Sequence, residues 1–330
     1  MTRSPRYSYP RYLAAKKSLD DRSLNRQVWQ RFTELLPRAS QDRPLRLLEV
    51  GAGIGTMIER VLEKRLLSRA TYTAIDADAA SIGTAARRLP GWAAQHGLRV
   101  SPARPPGSSS QERGWRLRLQ SGHSAEPDAV RAVTVELEAV ELSAFVCRER
   151  GNQTWDVLLA HAFLDLVDVA SVLPELVSVL SPGGLLYSSL TFDGATIFQP
   201  QLEPRLDAEI EALYHQTMDQ RRIAGARSGG SRAGRQLFGH MRNAGLEVVA
   251  AGSSDWVVFA GPDGYPADEA YFLGCILDTL ETALDGHPEL DTRRFADWLA
   301  RRRAQLEDGS LVYIAHQLDL LGRLPKKPPA

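Results

Sequence analysis

The segment that most constrains the fold of this 330-residue chain is Leu47–Thr56, with the sequence Leu-Leu-Glu-Val-Gly-Ala-Gly-Ile-Gly-Thr. An apolar run ends in an acid, a glycine-rich turn follows, and residues 57–63 have the pattern of a helix. Glycine permits a sharp turn and lets a ligand approach the backbone closely. The first turn of a helix also offers unpaired N–H groups. These features predict a strand, a tight turn and a helix around a nucleotide-like cofactor.

Strands and helices alternate along the residues that follow this turn. A second strand that ends in an acid is predicted at 71–76, and buried strands are predicted at 155–160 and 185–191, with helical segments between them. This alternation predicts an α/β fold with a parallel sheet. Two short apolar segments, 246–251 and 255–260, are joined by Gly-Ser-Ser. Their close spacing predicts an antiparallel hairpin at the edge of the sheet.

Changes in composition divide the chain into three predicted parts. Residues 1–40 form an N-terminal helical cap. Residues 41–262 form the α/β domain, with an insertion at about 98–131 that contains a hairpin, and with a cap helix at 203–222. Residues 263–330 form a C-terminal helical extension. Helices of this extension are expected at about 268–285, 293–307 and 309–321.

The overall composition excludes several classes of protein. Lys and Arg total 40 and Asp and Glu total 40, so the formal net charge is zero and nothing favours nucleic acid or a membrane surface. The two cysteines, Cys147 and Cys275, form no CxxC pair, and we expect neither disulfides nor a bound metal. The apolar region 157–180 is interrupted by acids, and residues 1–6 lead into no apolar segment. We therefore expect a cytoplasmic protein without a membrane span.

Two glycine fingerprints compete at the turn. A dinucleotide site requires G-x-G-x-x-G. Here Gly51, Gly53 and Gly55 give G-x-G-x-G, and Thr56 stands where the third glycine would fall. Glu49 also precedes the first glycine by two residues, at a position where dinucleotide sites more often carry an apolar residue. Both departures disfavour a nicotinamide oxidoreductase.

At this point the sequence resembles the class I S-adenosylmethionine-dependent methyltransferase family (EC 2.1.1). The resemblance covers about residues 40–262. It implies a Rossmann-like, seven-stranded mixed sheet with an antiparallel hairpin at its edge and helices on both faces. It also implies S-adenosyl-L-methionine as the cofactor. The matching segments are 49–56, 75–76, 156–159, 181–186 and 245–249.

The resemblance and the chemistry of the cofactor together suggest which residues bind it. The backbone near Gly51 and Gly53 can pass close to the methionine moiety, and Asp76 offers two oxygens to the ribose hydroxyls. By resemblance, Glu141 lies on the adenine side and His161 borders the methionine moiety. The expected cofactor-binding residues are Glu49, Gly51, Ala52, Gly53, Gly55, Thr56, Asp76, Ala77, Glu141, Leu142, His161 and Ala162.

The reaction expected of such a site is in-line transfer of a methyl group to an O, N or C nucleophile, in which the enzyme aligns donor and acceptor. A general base can assist by removing a proton. The candidate catalytic residues are His161, His215 and Asp193. For His161, the alternative is a hydrogen bond to a local backbone group.

Two further groups of residues have both a functional and an ordinary interpretation. An aromatic N-terminal group can form a lid over the cofactor or can pack as a surface helix. An arginine cluster can grip an anionic acceptor, although a solvated face is the simpler interpretation. The first group is Tyr7, Tyr9, Tyr12 and Lys16, and the second is Arg221, Arg222, Arg227, Arg232 and Arg235.

The acceptor is expected to be a small molecule. After the fourth strand the sequence is His-Ala-Phe-Leu, not the Asn/Asp-Pro-Pro-aromatic turn of amine-methylating nucleic-acid enzymes, and neither cysteine follows a proline. The alternatives are a protein or RNA methyltransferase, or a non-catalytic subunit that binds S-adenosylmethionine. An apolar stripe at 271–277 can form a homodimer interface or pack within the chain.

Overall fold

The computed structural model describes residues 8–37, 39, 43–102, 114–121, 132–223 and 225–326. Tyr7 and most of the predicted insertion lie outside these residues. The helices are α1 (Tyr9–Ala15), α2 (Lys17–Ser23), α3 (Arg26–Leu35), α4 (Thr56–Glu63), α5 (Ala79–Gln95), α6 (Leu142–Glu149), α7 (Val169–Ser178), α8 (Pro204–Gln220), α9 (Ala233–Asn243), α10 (Glu269–Leu284) and α11 (Thr292–Glu307). The strands are β1 (Leu45–Val50), β2 (Arg69–Asp76), β3 (Leu98–Pro102), β4 (Trp115–Ser121), β5 (Ala132–Ala139), β6 (Trp155–His161), β7 (Leu180–Gln199), β8 (Arg222–Ile223), β9 (Ala226–Arg227), β10 (Glu247–Ser253), β11 (Trp256–Val258) and β12 (Val312–Arg323).

A mixed sheet forms the centre of the molecule, in the order β10-β12-β7-β6-β1-β2-β5-β4-β3, with β11 also paired to β12. Its middle, from β7 to β5, is parallel. The α/β class and the mixed sheet are thus confirmed, but the described sheet has ten strands instead of seven. The predicted hairpin of the insertion accounts for two of the additional strands, because β3 pairs with β4, and β4 pairs with β5.

The end of the chain differs from the sequence-based prediction. The helix expected at 309–321 was wrong, because this region is β12. Its half-buried and buried side chains alternate along Val312–Leu318, which is the period of a strand. The predicted hairpin was also wrong in its pairing: β10 and β11 do not pair with each other, and each pairs antiparallel with β12. A strand from the C-terminal part therefore lies between β7 and β10.

A buried carboxylate holds β12 in this position. Asp319 accepts hydrogen bonds from the Leu190 N–H at 2.8 Å, from the Tyr187 hydroxyl at 2.9 Å and from the Asn25 N–H at 3.0 Å. Leu190 adopts a positive φ of 53°, so its N–H points out of the regular ladder. The Asp319 side chain supplies the acceptor that this irregularity requires, and burial raises the pKa of its carboxyl.

The first two helices, residues 8–23, are called the cap below, and they dock onto α10. The Tyr12 and Phe272 rings stack with centroids 5.6 Å apart, and the Arg11 guanidinium lies 3.8 Å from the Tyr271 ring centroid. Glu269 is fully buried, pairs with Arg22 and accepts a hydrogen bond from a cap serine. The apolar stripe at 271–277 contributes to this intrachain core. Among the described residues, no helix combines the length and apolarity that a bilayer crossing requires.

Candidate active site

A cavity of about 430 Å³ lies at the carboxyl ends of β1, β2, β5 and β6. In parallel α/β sheets, ligands bind at this edge. Tyr9, Leu13 and Lys16 of the cap form one wall. The predicted cofactor residues Glu49, Gly51, Ala52, Gly53, Thr56, Asp76, Ala77, Glu141, Leu142, His161 and Ala162 also line this cavity; of the predicted set, only Gly55 does not.

The glycine turn has the conformation and the contacts that its sequence requires. Gly51, Gly53 and Gly55 have φ values of 65°, 54° and 81°, a region that side chains rarely occupy. A Cβ atom at Gly51 would come within 2.3 Å of the Phe163 ring, and one at Gly53 within 2.9 Å of Leu13. The turn therefore passes directly beneath the cap. Gly55 lies behind the cavity, where it begins α4.

Asp76, at the end of β2, joins the second strand to this turn. One carboxylate oxygen accepts a hydrogen bond from the Gly53 N–H and the other from the Asp78 N–H, both at 2.8 Å. Each oxygen has a second lone pair. Asp76 can therefore accept hydrogen bonds from a diol while holding the turn. Burial raises the pKa of its carboxyl, although the two N–H groups oppose this shift.

Glu49 lies at the other side of the turn and is only 1% exposed. Its carboxyl accepts a hydrogen bond from the Tyr72 hydroxyl at 2.8 Å. Burial raises the pKa of Glu49 to about 8, against the lowering effects of Tyr72 and Arg60. At neutral pH this carboxyl is therefore mostly protonated, and a ligand cation beside it would favour the ionised form.

His161 ends β6 and has both ring nitrogens engaged. Arg60 Nη1 is 2.9 Å from Nε2, and the Ser189 hydroxyl oxygen is 2.8 Å from Nδ1. Since a guanidinium only donates, Nε2 accepts and Nδ1–H donates to Ser189. Burial and the Arg60 charge lower the pKa of His161 to about 4, against the raising effect of Asp20. His161 is thus a neutral wall of the cavity.

The other two candidate catalytic residues do not line the cavity. Asp193, on β7, pairs with Arg235: its carboxylate oxygens lie 2.9 and 3.0 Å from Arg235 Nε. One of these oxygens also accepts a hydrogen bond from the backbone N–H of Arg235. His215, on α8, has Nε2 3.0 Å from the Thr196 hydroxyl oxygen, and its ring contacts Phe192 edge-on. In this arrangement both side chains serve contacts between β7 and its neighbouring helices.

A buried cluster of charges from distant parts of the chain lies beside His161. Lys16 Nζ is 3.0 Å from Asp20 Oδ2, Arg60 Nη2 is 3.7 Å from the same oxygen, and the Trp256 indole donates to Oδ1 at 3.0 Å. Burial favours the neutral form of Asp20, but Lys16, His161 and Arg60 outweigh it and hold the pKa of Asp20 well below its usual range. Sequence reasoning placed Lys16 in a lid and missed Asp20 and Arg60. The i, i+4 spacing of Lys16 and Asp20 was the one available signal.

Sequence reasoning also missed Asp165. This residue lies in the short turn Leu164–Leu166 after β6. Its neighbours Phe163 and Leu166 line the cavity, whereas Asp165 itself lies directly behind that wall. Its Oδ1 atom is buried without a hydrogen-bond partner. Burial raises the pKa of Asp165 to about 6, although backbone N–H groups, Lys16 and Arg221 oppose the shift. An acid just after a strand that ends at the ligand edge was the signal for it.

Within the part of the chain that the structure describes, no group of His, Cys, Asp and Glu side chains is arranged to hold a metal ion. The polar groups that line the cavity include carboxyl groups, the backbone of the glycine turn and one buried lysine. This set matches a ligand with a diol and a zwitterionic end, because the acids can accept from hydroxyls and ammonium groups and the lysine can donate to a carboxylate.

Comparison with known families gives one match, and residues 48–186 fit a family model described as a methyltransferase domain. No curated protein matches the chain. Solved structures are similar to the chain at low sequence identity. A Bacillus halodurans C-125 protein assigned as a methyltransferase is 13% identical, covers 90% of this chain and 98% of its own, and has a TM-score of 0.46.

Two other solved structures are similar over most of the chain. The S-adenosylmethionine-dependent methyltransferase of Thiobacillus denitrificans, in complex with S-adenosyl-L-homocysteine, is 15% identical over 97% of this chain and 99% of its own, with a TM-score of 0.42. The geranyl diphosphate C-methyltransferase of Streptomyces coelicolor A3(2) is 12% identical over 97% of this chain and 87% of its own, with a TM-score of 0.39.

Proposed function

We propose that this chain is a class I S-adenosylmethionine-dependent methyltransferase that methylates an O, N or C atom of a small molecule, and the methyltransferase domain matched at residues 48–186 supports this proposal. The observation that carries the proposal is the covered cavity. The cap lies over the glycine turn so closely that Leu13 would contact a Cβ atom at Gly53. Such a cover favours a small acceptor over a polymer.

The charges of the cavity also favour a small acceptor over RNA. Among the described lining residues, Lys16 is the one Lys or Arg side chain, whereas Glu49, Asp76 and Glu141 are acids. A surface that binds a nucleic-acid backbone needs several cations. A protein acceptor and a non-catalytic subunit remain the alternatives that the experiment below separates.

The chain's own residues supply binding, alignment and protection from water. When bound, S-adenosylmethionine supplies a methyl group on a positively charged sulfur, which is already activated for transfer. Asp76 and Glu141 would hold the nucleoside end, and the Gly51–Gly53 backbone would hold the amino-acid portion. The cap forms one wall of the cavity. The contribution of the chain would be mainly proximity and orientation of the two reactants. His161, neutral and engaged at both nitrogens, serves as a wall.

Asp165 is the group that we assign to the acceptor proton. When an O–H or N–H nucleophile is methylated, its bond to hydrogen breaks as its bond to the methyl carbon forms, and one proton must leave. The unpartnered carboxylate oxygen of Asp165 can take that proton. Its environment between Lys16, Phe192 and Arg221 places it where the cap, β7 and the end of α8 meet.

Methyl transfer from S-adenosylmethionine labelled in its methyl group tests the proposal. We expect label in small molecules of a metabolite extract and none in RNA or protein fractions, together with binding of S-adenosylhomocysteine by calorimetry. Label in RNA or protein would contradict the small acceptor. Binding without transfer to any fraction would indicate the non-catalytic subunit, and no binding would contradict the whole proposal.

Asp165→Asn should lower turnover on the identified acceptor by about 100-fold or more, because an amide cannot accept the proton. The wild-type rate should fall as the pH drops through about 6, where Asp165 becomes protonated. Asp168→Asn is the matched control, since Asp168 lies in the same connection and binds the Ser171 hydroxyl. Equal rates for Asp165→Asn and wild type would contradict the assignment.

A further inference from the structure

The charges along the cavity are distributed unevenly between its two ends. Asp76 and Glu141 follow β2 and β5, which are neighbours in the sheet. Glu49 and His161 belong to β1 and β6, the next two strands in the same direction. Lys16 lies at the second end, because Asp20 joins it to His161: Lys16 Nζ and His161 Nε2 are 3.0 and 3.3 Å from the same Asp20 oxygen.

This distribution is complementary to a zwitterionic ligand. A nucleoside held by Asp76 and Glu141 leaves the remainder of the ligand beside Glu49 and Lys16. At this end the Glu49 carboxyl can interact with a ligand ammonium and the Lys16 ammonium with a ligand carboxylate, two groups that an amino acid carries on one carbon atom. His161 contributes no positive charge, since its pKa is lowered to about 4 by burial and by Arg60. The permanent cation that lines this end, among the described residues, is Lys16.

The local partners of Lys16 leave it with donor capacity. Its side chain is only 8% exposed, and an ammonium has three N–H groups to satisfy when it leaves water. The contact with Asp20 uses one of them, and that carboxylate is shared with Arg60, His161 and Trp256. Arg60 Nη2 is buried without a hydrogen-bond partner. Arg60 also pairs with Asp21, whereas the ion pair of Lys16 is with Asp20. Lys16 is therefore the cation at this end of the cavity whose remaining N–H groups can meet a further anion.

We propose that Lys16 binds the carboxylate of the cofactor's amino-acid portion, and that this contact couples docking of the cap to cofactor binding. The inference rests on the proposed function, since it needs S-adenosylmethionine in the cavity. Lys16 joins α1 to α2, and Asp20 holds the same segment against Trp256 of β11. A ligand carboxylate on Lys16 would therefore tie the cap, and not only the sheet, to the bound cofactor.

Two ligands that differ only in this group provide the test. Decarboxylated S-adenosylmethionine keeps the nucleoside, the sulfonium and the amine but lacks the carboxylate. With wild-type protein, calorimetry should show S-adenosylmethionine binding about 10- to 100-fold more tightly than the decarboxylated ligand. In Lys16→Met this ratio should fall to nearly 1, because the carboxylate then has no cation to meet. A ratio that stays at its wild-type value would overturn the proposal.

Matched variants separate this effect from a general loss of charge or fold. Lys17→Met removes the adjacent lysine, which pairs with Asp21 at 2.8 Å, and should keep the wild-type ratio. Lys16→Arg should keep most of it. If Lys16→Met binds decarboxylated S-adenosylmethionine with the same affinity as the wild type, its binding site is folded. If Lys16→Met does not fold, Lys16→Met/Asp20→Asn, which removes the ion pair as a unit, should give the same ratio near 1.

Hydrogen exchange reports the coupling to the cap. S-adenosylmethionine should slow exchange across residues 8–23 more than the decarboxylated ligand does at equal saturation, and the difference should vanish in Lys16→Met. Equal slowing by both ligands in the wild type would overturn the coupling. If wild-type protein binds neither ligand, the proposed function itself fails, which is a different outcome from a ratio that does not respond to Lys16.

Discussion

At the end of β1, the Glu49 carboxyl combines burial, a Tyr72 hydrogen bond and a place on the cavity wall. Its pKa of about 8 means that the free protein carries a proton there at neutral pH. A ligand ammonium would stabilise the ionised form and expel that proton. At the scale of single residues, cofactor binding is therefore expected to be linked to pH.

This linkage can be measured directly. For a group whose pKa falls on binding, the bound state holds fewer protons, so affinity rises with pH up to the free-state pKa and is flat above it. S-adenosylhomocysteine should thus bind more tightly at pH 8 than at pH 6.5. Calorimetry in two buffers of different ionisation enthalpy should show release of a proton near pH 7. Glu49→Gln should abolish the release, and an unchanged release would contradict the role of Glu49.

Asp76 is the second residue whose role can be tested alone. Asp76→Ala should weaken binding of S-adenosylhomocysteine by about 10- to 100-fold, the effect of losing hydrogen bonds to a charged group. The same substitution at exposed Asp263 is the control and should have no effect. Equal affinities of Asp76→Ala and the wild type would show that Asp76 does not bind the ribose. Melting temperatures separate lost contacts from a disordered turn, because Asp76 also binds the Gly53 N–H.

At the scale of elements, the position of the cap depends on the cluster at the start of α10. Glu269 is fully buried, whereas the side chain of its partner Arg22 is 39% exposed. Without Arg22, the buried Glu269 carboxylate keeps only the hydrogen bond from the Ser18 hydroxyl that is described for it. Without the charge of Glu269, the Arg22 guanidinium can still be hydrated by water. The two halves of this ion pair are therefore not equivalent.

We expect Arg22→Ala to destabilise the protein by about 2 kcal/mol and to expose the cap to proteolysis, whereas Glu269→Gln should have a smaller effect. Denaturant unfolding of both variants measures the difference. Arg31→Ala, which removes an exposed ion pair with Glu34, serves as the control and should change stability by less than about 0.5 kcal/mol. The reverse order of the first two variants would contradict this interpretation.

At the scale of the whole molecule, β12 joins the two parts of the sheet. β12 pairs with β7 on one side and with β10 and β11 on the other. The helices α10 and α11 lie between β11 and β12 in the sequence, and α10 also carries the cap. The C-terminal part thus completes the sheet and supports the cover of the cavity.

Truncation tests this arrangement. A chain that ends after Leu311 lacks the interior strand β12 and the Asp319 carboxylate. It should fail to fold, because β7 and β10 would expose unpaired backbone groups. A chain that ends after Lys326 keeps β12 and should retain its wild-type melting temperature. Circular dichroism of the two proteins measures the outcome. A folded protein that ends at Leu311 would show that β12 is dispensable.

Local sequence signals predicted many of the residues that line the cavity. The glycines have positive φ values, Asp76 ends a strand, and eleven of the twelve expected residues line the cavity. These features depend on residues near each other in sequence, where backbone conformation and strand ends are decided. The candidate bases were chosen by residue type, which does not reveal that Asp193 pairs with Arg235 or that His161 meets Arg60.

The sequence by itself determined the strand–turn–helix around Gly51–Gly55, the α/β class and the edge of the sheet at which a ligand binds, because periodicity and turn chemistry are local properties. Only the tertiary structure decided that β12 lies within the sheet, that α10 holds the cap, and that Lys16 and Asp20 reach His161. These outcomes depend on contacts between residues more than fifty positions apart. Burial then set the protonation of Glu49, His161 and Asp165, which no spacing of residues could indicate.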